Sequence, residues 1–385
     1  MVILKAMEKK QLNPFVVGKY VSDEYFCDRE EETHLMLKQL KNGRNITLIS
    51  DRRLGKSGLI SHVFAQSEIR QQFYTIYVDL YSTSSLAELT QLFSKAVYSC
   101  VNQQIMSWRD RFFQIVSSLR LGFKLDVITG APSFDIGIAD IPSPSVTLEQ
   151  IFSFINQLDK PCIVAFDEFQ QITVYPEKRT DALLRTFIQQ CKHAQFVFAG
   201  SRKHMMTQLF LSPTQPFYQS TINIGLDPLD KEVYINFAQR MFEKGGKQVA
   251  KEAVSQVYDM FRGITWYVQL MLNEMYTLVS SKEKCTSKHI ALAIENVILV
   301  QSPFYVELLA ALPAKQKSLL YAIVKDHEVR NISSADFIKR HGLNSASSVQ
   351  SALKGLREKD LLTEHEGCIM IYDVFLEKFI EQQNR

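Results

Sequence analysis

The chain has 385 residues, enough for two or three hydrophobic cores, and its 46% hydrophobic and 22% charged residues are those of an ordinary soluble globular protein. A formal charge of +3 neither demands nor excludes a nucleic-acid partner. Six scattered cysteines without a C-x-x-C pair argue against a zinc site or a disulfide scaffold, no apolar run reaches the ~18 residues of a membrane span, and no signal-peptide pattern opens the chain, so a cytoplasmic protein with no membrane partner is expected.

Five short apolar runs lie between residue 45 and about 225: NITLIS (45–50), FYTIYVDL (73–80), PCIVAFDE (161–168), AQFVFAGS (194–201) and TINIGL (221–226). Each is apolar over most of its length, as parallel strands buried on both faces are, and helical patterns separate them. The pattern predicts an α/β domain with a mainly parallel sheet. Between the second and third runs, LRLGFKLDV and SFDIGIADI alternate apolar and polar residues about a Gly-Ala-Pro break, which predicts a β-hairpin inserted at about 119–142.

From about 228 to 300 the period is helical and no strand is expected; SPFY and ALPAKQ mark a joint near 302–316. The tail then reads as three helices, the second ending on Gly342, and two short strands about a turn at Glu366-Gly367, the order of a winged helix. The expected division is an α/β core over 1–226, a helical lid over 227–305 and a winged helix over 306–385.

Two motifs carry the chemistry. NITLISDRRLGKSGL is an apolar strand, a tight loop and a Gly-Lys-Ser opening a helix, the context of a phosphate-binding loop, although Ser50 stands where the usual first glycine would be. Ser50 suffices if its φ stays negative. Backbone N–H groups and the helix N-terminus would hold the phosphates, Lys56 would reach the β- and γ-phosphates, and Ser57 would ligate Mg²⁺. The cradle comprises Arg52, Arg53, Leu54, Gly55, Lys56, Ser57 and Gly58, with the two arginines adding positive charge.

The second motif, CIVAFDEFQQI, ends an apolar strand in Asp167-Glu168. Asp167 is placed to hold Mg²⁺ and Glu168 to orient and activate a water; a plain acidic helix cap is the alternative. Ser201, ending the next strand, is the candidate γ-phosphate sensor, with a mere turn as the alternative. Arg185 is either an arginine finger for a neighbouring subunit of a homo-oligomer or part of a solvated helix face.

Taken in order, NPF at 13–15, FCDREEE at 26–32, SDRRLGKSGL, VAFDEFQQI, FAGSRKHMM and PFYQSTINIGLDPL resemble the archaeal and bacterial ATPases of the STAND branch, close to AAA+ proteins. The tail resembles that family's winged helix, and the likeness covers nearly the whole chain. It implies an adenine pocket lined by Pro14, Phe15 and Arg29, and a lid bearing a Gly-x-Pro turn near the nucleotide. Here the matching stretch is Gly263-Ile264-Thr265, without the proline.

The leading expectation is an ATP-binding, Mg²⁺-dependent ATPase that switches with ATP or ADP bound and moves its winged helix. ATP is favoured over GTP because no Asn-Lys-x-Asp motif occurs. The alternative is a winged-helix nucleic-acid-binding protein with a structural or slow nucleotide site, reading DNA through Ser345, Ser347, Ser348, Gln350 and Lys354. Residues 313–385 carry 11 Lys and Arg against 10 Asp and Glu, a weak charge for DNA binding, so protein contacts through this domain are an equal expectation. A pure interaction module would have little use for Lys56, Ser57, Asp167 and Glu168 together.

Overall fold

A computed structural model describes residues 12–102, 111–112, 124–125, 132–133, 143–281 and 283–383. The first strands in chain order are β1 (Ile46–Ile49) and β2 (Tyr74–Asp79). Two-residue β3 (Lys124–Leu125) and β4 (Pro132–Ser133) follow, paired antiparallel with Lys124 opposite Ser133. They fall within the expected inserted hairpin, the rest of which lies outside the described residues. Next come β5 (Cys162–Asp167), β6 (Ala194–Gly200) and β7 (Ile222–Gly225). The five apolar runs form one sheet, ordered β2-β5-β6-β1-β7, and every neighbouring pair is parallel.

Why these runs are apolar throughout is visible in the packing. Cys162, Val164 and Phe166 of β5 join Phe196 and Phe198 of β6 in one core, while Ile163, Ala165, Val197 and Ala199 enter a second core on the opposite face. The second core is closed by α1 (Glu30–Lys41), α2 (Lys56–Ala65) and α3 (Ser67–Gln72), through Met36, Leu40, Leu59, Ile60, Val63 and Ile69. The first is closed by α4 (Leu86–Asn102), α5 (Pro144–Ile155), α6 (Thr180–Gln190) and α7 (Lys203–Leu211), with Phe93, Ile151, Leu184 and Met206 among the buried contributors. Each such side chain contributes roughly 1.5–3 kcal/mol relative to exposure. The fold is an α/β sandwich with helices on both faces of a parallel sheet.

The chain divides into two compact units: residues 16–237 with 263–267, and, among the described residues, 12–15, 238–262 and 268–383. The chain continues through α8 (Lys231–Lys244), α9 (Lys251–Met260), α10 (Thr265–Leu278) and α11 (Lys288–Ala310). Contrary to the helix-only expectation for 228–300, Gln248–Val249 (β8) and Lys284–Cys285 (β9) pair in parallel. Two-residue strands are too short to leave a periodic signal.

The joint expected near 302–316 falls at residues 311–313, between α11, which runs through Pro303 to Ala310, and the helix that begins at Ala314. A helical proline leaves the carbonyl four residues earlier without its N–H partner. Here that carbonyl is Leu299 O, and Ser302 Oγ donates to it at 3.0 Å. By length and composition α11 is the one helix among the described residues apolar enough to cross a membrane, a property no single apolar run reveals; 33% of its apolar window is buried within the protein. Tyr305 on this helix is 1% exposed and packs on Phe379 at 5.5 Å.

The tail folds as α12 (Ala314–Asp326), α13 (Ala335–Arg340), α14 (Ala346–Glu358) and an antiparallel hairpin of β10 (Leu362–His365) and β11 (Cys368–Ile371). Its turn has Glu366 at φ 50° and Gly367 at φ 76°, the left-handed pair that a two-residue hairpin requires. A further helix, α15 (Val374–Gln383), follows the hairpin, started by Asp373, whose Oδ1 accepts from Phe375 N at 3.0 Å.

Arg262 braces this region. It donates to Ile371 O at 2.9 Å and pairs with Glu377 at 2.9 Å, and Glu377 is 5% exposed. His327 Nδ1 meets the other Glu377 oxygen at 3.1 Å. Removing one partner of a buried ion pair strands the other charge. Arg262→Met is therefore expected to destabilise the chain by about 2–3 kcal/mol in urea denaturation; an unchanged midpoint would show that the brace contributes nothing.

Candidate nucleotide site

The loop from Ser50 to Gly55 joins β1 to α2. Ser50 keeps φ out of the positive range; the left-handed positions fall to Arg53 (φ 67°) and Gly55 (φ 96°). Such a φ is cheap for glycine and costs about 1 kcal/mol at Arg53. The missing first glycine is therefore tolerable because the backbone at Ser50 does not need one.

Lys56 is 6% exposed, and its Nζ donates to Ser50 O at 3.1 Å, Ser50 Oγ at 3.2 Å and Asp51 O at 2.9 Å. Burial holds its ammonium below the ordinary lysine value of 10.5, while the charges of Glu168, Asp167 and Asp51 act in the opposite direction. Ser57 and Gly55 are exposed at the start of α2, where backbone N–H groups have no intrahelical partner.

Arg29, itself left-handed at φ 70° and 5% exposed, reaches beneath this loop. It donates to Leu54 O at 3.2 Å and Asp227 O at 2.6 Å and pairs with Glu32 at 2.6 Å. Its guanidinium is committed to bracing the loop rather than turned toward a base. Arg53 lies with its guanidinium 4.5 Å from the Trp266 ring centroid and 4.7 Å from that of Tyr267, bonds the Tyr267 hydroxyl, and accepts from Trp266 N at its carbonyl at 3.1 Å. Thus Gly263-Ile264-Thr265, which lacks the proline, is followed by two aromatic residues that grip the loop. Gly58 lies next to Phe26, which stacks on His62 at 4.2 Å.

Asp167 ends β5 and is 3% exposed. Its Oδ2 accepts from Ser57 Oγ at 2.5 Å and from Tyr77 OH at 2.5 Å, and its Oδ1 accepts from Glu168 N at 2.9 Å. Burial and the Asp167 charge push the Tyr77 phenol far up, so it stays a neutral donor. Asp79, in register with Asp167 on β2, is raised by burial, with the charges of Asp167 and Glu168 adding to the shift. Hard oxygen donors on Ser57 and Asp167, beside two further carboxylates, suit a magnesium ion; these are the residues that would hold it.

Glu168 sits in the left-handed region at φ 52°, ψ 41°. It is fixed there because the next residue, Phe169, enters an aromatic cluster with Phe166, Phe198, Phe210 and Phe217, whose centroids lie 4.7–6.1 Å from that of Phe169. Its Oε2 accepts from Ser201 Oγ at 2.7 Å and Gln170 Nε2 at 2.5 Å. Arg52 Nε in turn donates to Ser201 Oγ at 3.2 Å. Lys56, Ser57, Arg52, Asp167, Glu168 and Ser201 are thus brought to the carboxyl ends of β1, β5 and β6, where ligands bind in open α/β sheets.

The other expected residues have partners of their own. Arg185 on α6 donates from Nε to Pro216 O at 3.2 Å and, among the described residues, makes no hydrogen bond to this network. Pro14 and Phe15 are buried in the other unit; the Phe15 ring packs on Phe242 at 5.2 Å and Tyr276 at 6.1 Å, and Asn273 donates to Phe15 O at 2.7 Å. Phe15 is an anchor of the N-terminal segment, with no exposed ring to offer a base. On α14, Ser345 caps the helix by accepting from Ser348 N and bonds Ser347, so these serines complete the helix start, while Gln350 and Lys354 are exposed.

Sequence reasoning missed Tyr77, Gln170, Trp266 and Tyr267. Tyr77 and Gln170 each stand two residues from an acidic residue of the cluster, but nothing local shows that their side chains turn toward it.

This sheet order, with a buried loop lysine after β1 and an Asp-Glu pair at the end of β5, defines a P-loop ATPase fold with a C-terminal winged helix. The chain belongs to the family described as "ATPase domain predominantly from Archaea", whose model matches residues 26–271. A second model, "Probable winged helix domain", matches residues 303–382. Solved structures similar to it include the Walker-type ATPase PABY2304 of Pyrococcus abyssi, at 17% identity and TM-score 0.63 over 96% of this chain and 99% of that one. The ORC2 protein of Aeropyrum pernix matches at 12% identity and TM-score 0.56 over 92% and 93%, and the ORC1 protein of the same organism, solved in complex with DNA, at 12% and 0.51 over 93% of each. At these identities the likeness concerns the fold. No curated protein matches the chain in sequence.

Proposed function

We propose that the protein is a Mg²⁺-dependent ATPase of the STAND type that works as a nucleotide switch. The observation that carries this reading is the single bonded network linking loop to catalytic strand: Ser57 to Asp167, and Arg52 through Ser201 to Glu168. Lys56 and the N–H groups of the loop would bind the phosphates, and Ser57 with Asp167 would hold Mg²⁺, which supplies charge neutralisation between the β- and γ-phosphates. Glu168 would orient the attacking water and accept its proton, and Ser201 would donate to a γ-phosphate oxygen. A switch needs contacts that differ between ATP and ADP, and Ser201 with Arg52 supply them.

The test uses Trp266, whose indole touches the loop arginine. In a Trp108→Phe background it is the sole tryptophan. ATP with Mg²⁺ should change its emission and be hydrolysed, GTP should do so at higher concentration, and chelation of Mg²⁺ should stop turnover. A protein whose emission and phosphate release ignore ATP would end this reading.

The winged helix is the element proposed to contact a protein partner. Its Lys354 lies 4.0 Å from Glu358 and its Arg357 2.5 Å from Glu364, which leaves little free positive charge on α14. Duplex DNA is accordingly expected to bind weakly and without a steep salt slope. Tight binding that falls about 10³-fold between 50 and 200 mM salt would instead establish the DNA reading.

A further inference from the structure

A second buried polar side chain stands beside Glu168 and has no part in the scheme above. Gln170 is 2% exposed, and its Nε2 donates to the Glu168 oxygen that also accepts from Ser201. Its Oε1 is buried without a partner. That oxygen lies against Gly200, where a Cβ would collide with it and with Met206 Sδ. The amide orientation follows from chemistry, since the reverse would set Oε1 against a carboxylate. A buried amide oxygen without a partner destabilises the fold, and an apolar side chain of equal length would avoid this. Glycine at the end of β6 makes room for the amide all the same.

We propose that Gln170 is a positioning residue for the carboxylate of Glu168; this rests on the ATPase reading. Ser201 is shared, because it accepts from Arg52, donates to Glu168 and is the group nearest in role to a γ-phosphate. A phosphate oxygen that takes the Ser201 proton removes one of the two donors holding Glu168. Gln170 has no competing acceptor and lies in the 3₁₀ segment Phe169–Val174, itself fixed by the aromatic cluster. It keeps the carboxylate in place while Ser201 changes partners. Both donors fall on Oε2, which leaves Oε1 to face the water.

The experiment compares the full-length wild type with Gln170→Met and Gln170→Glu, all carrying Trp108→Phe, measuring kcat for ATP, nucleotide Kd from Trp266 emission, and Tm. Gln170→Met is expected to lower kcat by about 10-fold or more, keep Kd within about twofold, and raise Tm by about 2 °C, since the unpartnered oxygen is gone. Gln170→Glu should also lose rate, with a lower Tm because two carboxylates then crowd together. A purely structural glutamine would make rate, affinity and Tm fall together in Gln170→Met, and that result overturns the proposal. So does a wild-type rate in either variant while the wild type hydrolyses ATP. A wild type that neither binds nor hydrolyses ATP removes the ATPase reading and this inference with it.

Discussion

Glu168→Gln is expected to lower ATP turnover by about 10²- to 10⁴-fold while leaving nucleotide affinity within about threefold of wild type. The substitution keeps the shape and the left-handed backbone that Phe169 enforces, and an amide oxygen can still accept from Ser201 and Gln170. What it loses is the capacity to take a proton from water. Binding and chemistry should therefore separate cleanly, with ATP bound and retained. Phosphate release and Trp266 emission, measured on the same preparation, check this. Equal turnover in the variant and the wild type would remove Glu168 from the mechanism and leave the acidic strand end as a simple helix cap.

Lys56→Met should weaken ATP binding by about 100-fold or more, because a charge-assisted contact to phosphate is lost at a site with few other buried cations. The same variant should be more stable than wild type at pH 7. Burial lowers the Lys56 ammonium below its ordinary value of 10.5, so the folded chain binds this proton less tightly than the unfolded chain does. The cost of the buried charge is full at pH values below the folded-state pKa and is relieved as pH rises toward 10.5. Methionine removes that cost and also the bonds to Ser50 and Asp51, so the net gain at neutral pH is about 1 kcal/mol. Thermal melts at pH 7 and pH 10 should show the difference shrinking at the higher pH. A gap that does not depend on pH would mean that lysine burial is not what limits stability here.

These two residues and most of the sheet were legible in the sequence for a common reason. Strands buried on both faces must be apolar throughout, and a loop that binds phosphate through its backbone needs Gly-Lys-Ser at a helix start; both requirements are local. Expectations that depended on distant partners fared differently. Arg29 and Phe15, expected at an adenine pocket, prove to brace the loop and to anchor the N-terminal segment, because their neighbours are Asp227 on one side and Phe242 and Tyr276 on the other. Within the joint expected near 302–316, the helix continues through Pro303 because a hydroxyl one residue away meets the freed carbonyl, an arrangement the sequence permits but does not reveal.

The sequence by itself determined the parallel strands, the phosphate loop, the Asp167-Glu168 pair and the winged-helix order, since hydrophobic period and turn chemistry act within a few residues. Only the tertiary structure decided which groups meet. By placing β6 between β1 and β5, it brings Ser201 to Arg52 across 149 residues of chain and to Glu168, and Ser57 to Asp167 across 110. Tyr77 and Gln170 complete the carboxylate cluster only in three dimensions. Strand order follows from packing two cores on opposite faces of one sheet, a non-local condition that no short window of sequence contains.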